Sequence, residues 1–318
     1  MPTDRGGTGS AVCRWMDERE AFRIFATSEE ATQSQRHIKP IHWYVACRLV
    51  VEGGFLPDEV TPHPPFSVDT RDERRLSFDP SAARGGERTI LGGLKTKDID
   101  VTVLKPGLGP VLAVSCKGAI KAFRNLTNRL EEAVGDCTNI HITYPALVAG
   151  YLFAFRANRE AAIVAEEEAA AGASPRRQLA ANDIAVGRGG EPVEAIMRFH
   201  YALSELTGRR GIRDDVSRYE SVALALVEPE GDRAGATLEG FPRQDSRILL
   251  RNFFSTLYLR YDERYVYGAP DLKRITRRRF WAEDSPAFAV GGPGGLPHLP
   301  TSYEPRLAGL ADAMGLDP

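Results

Sequence analysis

Residues 97–117, KDIDVTVLKPGLGPVLAVSCK, constrain the fold more than any other stretch of the chain. Ile99, Val101 and Val103 alternate with Asp100 and Thr102, the period of a half-buried strand, and residues 111–114 resume as an apolar run. Between them Pro106-Gly107-Leu108-Gly109 is turn chemistry, so the two runs are predicted to pair as an antiparallel hairpin. With the turn centred near Gly107 and Leu108, Asp100 falls opposite Ser115 and Asp98 opposite Lys117. A short turn fixes register to about one residue, so both aspartates stay candidates for whatever chemistry this hairpin carries.

Strands and helices alternate around it. Residues 37–52 are apolar enough for a buried helix closed by Gly53-Gly54. Residues 118–135 are predicted as a helix with Phe123, Leu126, Leu130 and Val134 on its apolar stripe, ending at Gly135. Its opposite stripe holds Lys121, Arg124, Asn128, Glu131 and Glu132. Residues 146–155 and 222–227 read as buried strands, and 193–206 and 246–261 as helices. The expected class is α/β, a mixed central sheet flanked by helices. Residues 1–36 read as a polar arm or helical lead-in, 37–285 as a single domain and 286–318 as a Pro/Gly-rich tail. Residues 69–90 read as a solvated loop, and 157–190 as an insertion suited to a recognition loop.

Composition removes several classes. With 318 residues the chain can bury a substantial core without metals or disulfides, and no apolar run has the length of a membrane span. Its 4 cysteines are scattered without a CxxC pair, and the first residues lack the pattern of a secretory signal, so the expected compartment is the cytoplasm. None of the 6 histidines stands in HxH or HExxH spacing, which argues against a histidine zinc site. A formal net charge of −2 excludes affinity for a polyanion through overall charge; such binding would need a local basic groove.

Asp100, Ser115, Lys117 and Glu131 form the constellation that carries chemistry. An Asp from a strand and a Glu from the next helix supply two oxygen ligands to a hard divalent ion. Lys117, two residues past Ser115, shares its face and brings a positive charge toward a phosphorus under attack. The stretch from Asp100 to Asp136 resembles the PD-(D/E)xK nucleases, and among them the type II restriction endonucleases. It is similar to the branch in which Ser-x-Lys replaces acidic-x-Lys and the missing carboxylate has moved to the following helix: here Ser115-Cys116-Lys117, then Glu131.

The resemblance implies a restriction-endonuclease-like core and a Mg²⁺ ion held by Asp100 and Glu131, with Lys117 as catalytic lysine and Ser115 marking the vacated acidic place. Asp98, Glu132 and Glu52 are the alternative ligands. Where the CCGG-cutting branch carries Arg-x-Asp-Arg, this chain has Lys121-Ala122-Phe123-Arg124, so that base specificity is not implied.

DNA would be held by Lys121, Arg124 and Asn128 and by the basic run after residue 270, with Arg274, Arg277, Arg278 and Arg279. Arg156, Asn158, Arg159, Arg176, Arg177, Gln178 and Asn182 have the chemistry that reads base edges. The expected function is a type II restriction enzyme cutting double-stranded DNA as a homodimer, with tetramers left open, and with a cognate DNA methyltransferase as its genetic partner. Two readings stand beside it: a structure-specific repair or junction nuclease, and a non-catalytic DNA-binding regulator. Metal binding to the free protein is expected to be weak, because clustered carboxylates repel.

Overall fold

A computed structural model of the chain describes residues 15–28, 35–160, 179–289 and 302–310. Its centre is a mixed five-stranded sheet. In chain order the strands are β1 (Val60–Thr61), β2 (Phe66–Val68), β3 (Leu76–Phe78), β4 (Arg88–Ile90), β5 (Lys97–Ile99), β6 (Val101–Lys105), β7 (Gly109–Ala119), β8 (Val148–Arg156) and β9 (Ser221–Val227). The main sheet runs β1-β6-β7-β8-β9, while β2 with β3 and β4 with β5 form separate two-stranded ribbons. β6 and β7 are antiparallel, as the turn chemistry predicts, and β7, β8 and β9 are parallel.

The helices are α1 (Glu18–Thr27), α2 (Lys39–Val51), α3 (Leu126–Thr143), α4 (Glu194–Glu205), α5 (Leu250–Tyr261) and the short α6 (Lys273–Thr276). Alternation along the strands divides the core in two. Leu112, Val114 and Cys116 of β7 face α1, α2 and α5, whereas Ala113, with Tyr151 and Phe153 of β8, faces α3 and α4. This is a three-layer α/β architecture, in line with the expected class.

α2 is apolar on every side because every side is covered: the sheet lies beneath it, and Phe22 and Phe25 of α1, Phe254 of α5 and Tyr303 close over it. The covering helix α1 comes from the stretch expected to be a polar arm, where Ala21, Phe22, Phe25 and Ala26 recur at helical spacing and are buried. Asp17 caps α1 by accepting from the Glu20 N–H. The N-terminal end of α2 packs over the end of β7, where a side chain at Gly118 would collide with Phe25 and Ile38. That close approach positions α2 for the site described below.

Two elements depart from the expected boundaries. β7 continues to Ala119, so the following helix starts at Leu126 and runs through Gly135 to Thr143. Gly135 does not end it; it sits mid-helix, and a helix held by Ala133, Cys137 and Ile140 on its buried face tolerates the loss of about 1 kcal/mol in propensity. Residues 69–90 are not only a solvated loop: they contain β3 and β4. Of the 157–190 segment, residues 161–178 lie outside the described residues, and with them Arg176, Arg177 and Gln178.

Candidate active site

Asp100 stands where the chain passes from β5 into β6, between two hairpins. Continuing the Val101↔Val114 pairing by one residue sets it opposite Ser115. Continuing the Arg88↔Ile99 pairing of the other hairpin sets it opposite Glu87. Asp100 is 4% exposed. Its Oδ2 accepts from the Cys116 N–H at 2.8 Å and from Lys117 Nζ at 3.1 Å. The register of Asp100 with Ser115 is the one the sequence anticipates, but Asp98 is not set opposite Lys117: it pairs with Thr89 in the other hairpin, and Lys117 reaches Asp100 instead. Ser115 is buried on the α3-facing side of β7.

The other oxygen, Oδ1, faces His42 of α2, whose Nε2 lies 3.8 Å away. That is too long for a hydrogen bond, and His42 Nε2 is buried without any hydrogen-bond partner. Burial depresses the His42 pKa to about 4 against the pull of the Asp100 charge, so the imidazole is neutral at pH 7. One ligand atom each from His42, Glu87 and Asp100 lie within 4.8 Å of one another. Glu87 is the least buried of the three. Its pKa is raised by partial burial and by the Asp100 charge.

The Lys117 pKa is raised: desolvation pulls it down, but the Asp100 charge and hydrogen bond outweigh that, with a further push from Glu132. Lys39, exposed at the start of α2, is near enough for its charge to act on both His42 and Glu87.

The helix carboxylates are placed by the phase of α3. Glu131 is exposed on the outer face of α3, as is Asn128 one turn before it, and Arg124 is exposed on the turn that precedes the helix. Glu132 is half-buried, paired with Arg129 at 2.7 Å, and is the one whose charge reaches Lys117. Asp98 is exposed and accepts from the Thr89 hydroxyl. Glu52 lies at the far end of α2, about 15 Å along the helix from His42, where Arg48 pairs with it at 2.7 Å and the Glu304 N–H donates to it at 3.0 Å. Glu52 and Glu131 are thus not brought to the Asp100 cluster, whereas Asp98 is near enough for its charge to act on Glu87 but lies outside the group of three. The residues that join Asp100 instead, Glu87 and His42, carry weak signals in the sequence. Glu87 precedes a short β-branched run inside a charged, glycine-rich stretch, and His42 is embedded in a fully apolar helix.

Between β7 and α3 the chain turns through Ala122, the one non-glycine residue at positive φ (59°) among those described. The left-handed conformation costs roughly 1–2 kcal/mol, and Asp183 Oδ1 holds it by accepting the Ala122 N–H at 2.7 Å. Lys121, half-buried, sits on this turn. Asn158, expected to read bases, is buried and donates to the carbonyls of Ile120 and Asp183, each at 2.8 Å. Arg159 pairs with Glu228. Arg156 is half-buried and Asn182 exposed.

The basic run lies elsewhere. Arg278 is buried, forks onto Asp262 at 2.9 and 2.6 Å, and donates to the Gly53 carbonyl. Arg279 pairs with Glu73, and its charge acts on Lys105 at the turn end of the β6–β7 hairpin. That end is about 17 Å along β6 from Asp100. Arg274 is exposed and Arg277 half-buried. Arg278 and Arg279 are therefore structural ion-pair partners at the opposite end of the sheet, and three consecutive arginines read as a solvated basic row because nothing local shows that Asp262 and Glu73 meet them.

No helix among the described residues is long and apolar enough to cross a membrane. Comparison with protein-family models, with curated proteins and with solved structures finds no match.

Proposed function

We propose that the protein is a divalent-metal-dependent endonuclease acting on double-stranded DNA, with Asp100, Lys117, Glu87 and His42 as its working centre. The observation that carries this reading is the junction of Lys117 with Asp100 at 3.1 Å beside a group of two carboxylates and a neutral imidazole. The donor set suits a divalent ion: two anionic oxygens and a ring nitrogen left without a partner. Such an ion would supply Lewis-acid polarisation of a phosphodiester and compensate its added charge; the resemblance to PD-(D/E)xK nucleases implies Mg²⁺.

The roles of the side chains follow from their positions. Lys117, a cation fixed by Asp100, stabilises negative charge growing on a phosphoryl group held next to it. Asp100 orients that cation through Oδ2 and keeps Oδ1 for the ion. Ser115 leaves the acidic place on β7 vacant, and Glu87 provides a carboxylate from the opposite neighbour of Asp100. Lys39, Lys121, Arg124 and Asn128 line the approach and suit the phosphate backbone. The strand–turn–strand–helix order β6, β7, α3 supports a restriction-endonuclease-like core, and cutting both strands at a symmetric site would call for a homodimer.

Plasmid of known sequence incubated with the protein and Mg²⁺ or Mn²⁺ tests the reading. Discrete, reproducible fragments are expected from wild type, and a loss of about 100-fold or more from Lys117→Ala and Asp100→Asn. Cutting confined to branched or damaged DNA would reassign it as a structure-specific nuclease. DNA binding without a nick under any divalent ion would make it a regulator.

A further inference from the structure

Among the described residues, His42 Nε2 and Thr102 Oγ1 are buried polar atoms close in the fold to Asp100 that have no hydrogen-bond partner, and His42 Nε2 is the one set against its Oδ1, at 3.8 Å. An unsatisfied buried ring nitrogen costs roughly 1–3 kcal/mol, and α2 could have spared that cost with any apolar residue at this position. The surrounding helix is otherwise apolar, with Ile41, Trp43, Val45 and Ala46 as neighbours. A ring nitrogen held in place at that cost is explained by something that bonds to it.

The companion donors limit what that something is. Asp100 Oδ2 is engaged by Cys116 and Lys117, which leaves Oδ1 facing His42. Glu87 adds one further oxygen within 4.8 Å. The set is therefore one imidazole nitrogen and two carboxylate oxygens. Mg²⁺ and Ca²⁺ take oxygen ligands, and Mg²⁺ gives up its waters reluctantly. Imidazole suits transition ions, whose affinity for a mixed nitrogen–oxygen site exceeds that of alkaline-earth ions. With only two carboxylates in the group, and the charges of Lys117 and Lys39 acting on Glu87, the mutual repulsion of its oxygens is small.

We propose that this centre is selective for a divalent first-row transition ion over Mg²⁺, that His42 Nε2 is the ligand responsible, and that the ion binds the free protein, with Mn²⁺, the weakest binder of that series, as the most stringent probe. The inference rests on the cluster being the metal centre of the function proposed above, and it does not require DNA to be the substrate.

Mn²⁺ binding to the full-length protein without DNA, followed by the loss of the electron-paramagnetic-resonance signal of free Mn²⁺, tests it. Wild type is expected to take up one Mn²⁺ per chain and to release half of it only at a Mg²⁺ excess of about tenfold or more. His42→Asn should weaken Mn²⁺ binding about tenfold while Mg²⁺ binding changes little. Should His42→Asn not fold, as judged by circular dichroism, Glu87→Gln is the second variant and should weaken both ions. Equal competition by Mg²⁺ in wild type, or Mn²⁺ binding unchanged in both variants, overturns the inference. The same preparations assayed on plasmid separate the two proposals. Mn²⁺ bound through His42 with no cleavage overturns the nuclease reading alone, and cleavage together with Mn²⁺ binding that is indifferent to His42 overturns this one alone.

Discussion

The carboxylate of Asp100 divides its oxygens: Oδ2 satisfies the Cys116 N–H and the Lys117 ammonium, and Oδ1 faces His42. Removing either partner of the Lys117 pair therefore has unequal effects. Asp100→Ala leaves a buried amide and a largely desolvated ammonium without an acceptor, at about 1–3 kcal/mol for the unpaired groups. Lys117→Met keeps the amide bond but leaves the buried Asp100 carboxylate without its countercharge, so it should cost about 3–5 kcal/mol, more than Asp100→Ala. Both variants should lose cleavage, but urea unfolding should separate them; equal destabilisation would mean that the orphaned carboxylate costs no more than the groups Asp100→Ala leaves unpaired. The Asp100–Ser115 register was legible in the sequence because the Pro106–Gly109 turn and the period-two apolar pattern specify it together. Glu87 and His42 were not legible, because each meets Asp100 only through the packing of a separate hairpin or helix.

Helix phase decides which carboxylate of α3 works with the site. A helix taken to begin at residue 118 does not reveal that β7 runs on to Ala119 and that Ala122 turns the chain before Leu126. The actual phase turns Ala133, Cys137 and Ile140 to the core, which leaves Glu132 beside Lys117 and Glu131 outside. Glu131→Ala is therefore expected to change neither the affinity for Mn²⁺ nor cleavage by more than about twofold, the effect of an exposed charge. Glu87→Gln, which removes one of the clustered oxygens, should weaken ion binding by about tenfold or more. Isothermal titration of the two variants with Mn²⁺ in parallel decides it, and loss of binding in Glu131→Ala would return the migrated carboxylate to the place the family resemblance gives it.

Taken as a whole, the sheet has unlike ends. Asp100 and Lys117 lie toward the carboxyl end of β7, the side on which parallel α/β sheets place ligands. The other end is tied by charge that stays inside the protein. Arg278 grips Asp262 there, so Arg278→Ala is expected to cost about 3–5 kcal/mol of stability, the effect of orphaning a buried charge. DNA affinity measured well below the lowered melting temperature should remain unchanged, whereas Arg124→Ala should weaken it and flatten its salt dependence by about one unit of slope.

A second tie, at the start of β9, is Glu220. It is 1% exposed, accepts from Arg209 at 2.7 Å and the Ala149 N–H at 2.6 Å, and pairs with Arg264 at 2.6 Å. Burial alone would raise its pKa, but hydrogen bonding to His141 and the Arg264 charge more than offset that and hold it below the usual carboxylate value. A carboxyl with a depressed folded pKa contributes stability that is complete above its unfolded value, about 4.3, and that is lost as pH falls through the folded one. Glu220→Gln leaves Arg209 and Arg264 without their countercharge and should cost about 3–5 kcal/mol at pH 7. Because wild type gives up the same contribution in acid, the difference between the two proteins should shrink progressively below about pH 4. Urea midpoints measured from pH 7 down to pH 3 would show that convergence, and a gap that stayed constant across the series would mean that Glu220 stabilises the strand end by packing and not by its charge.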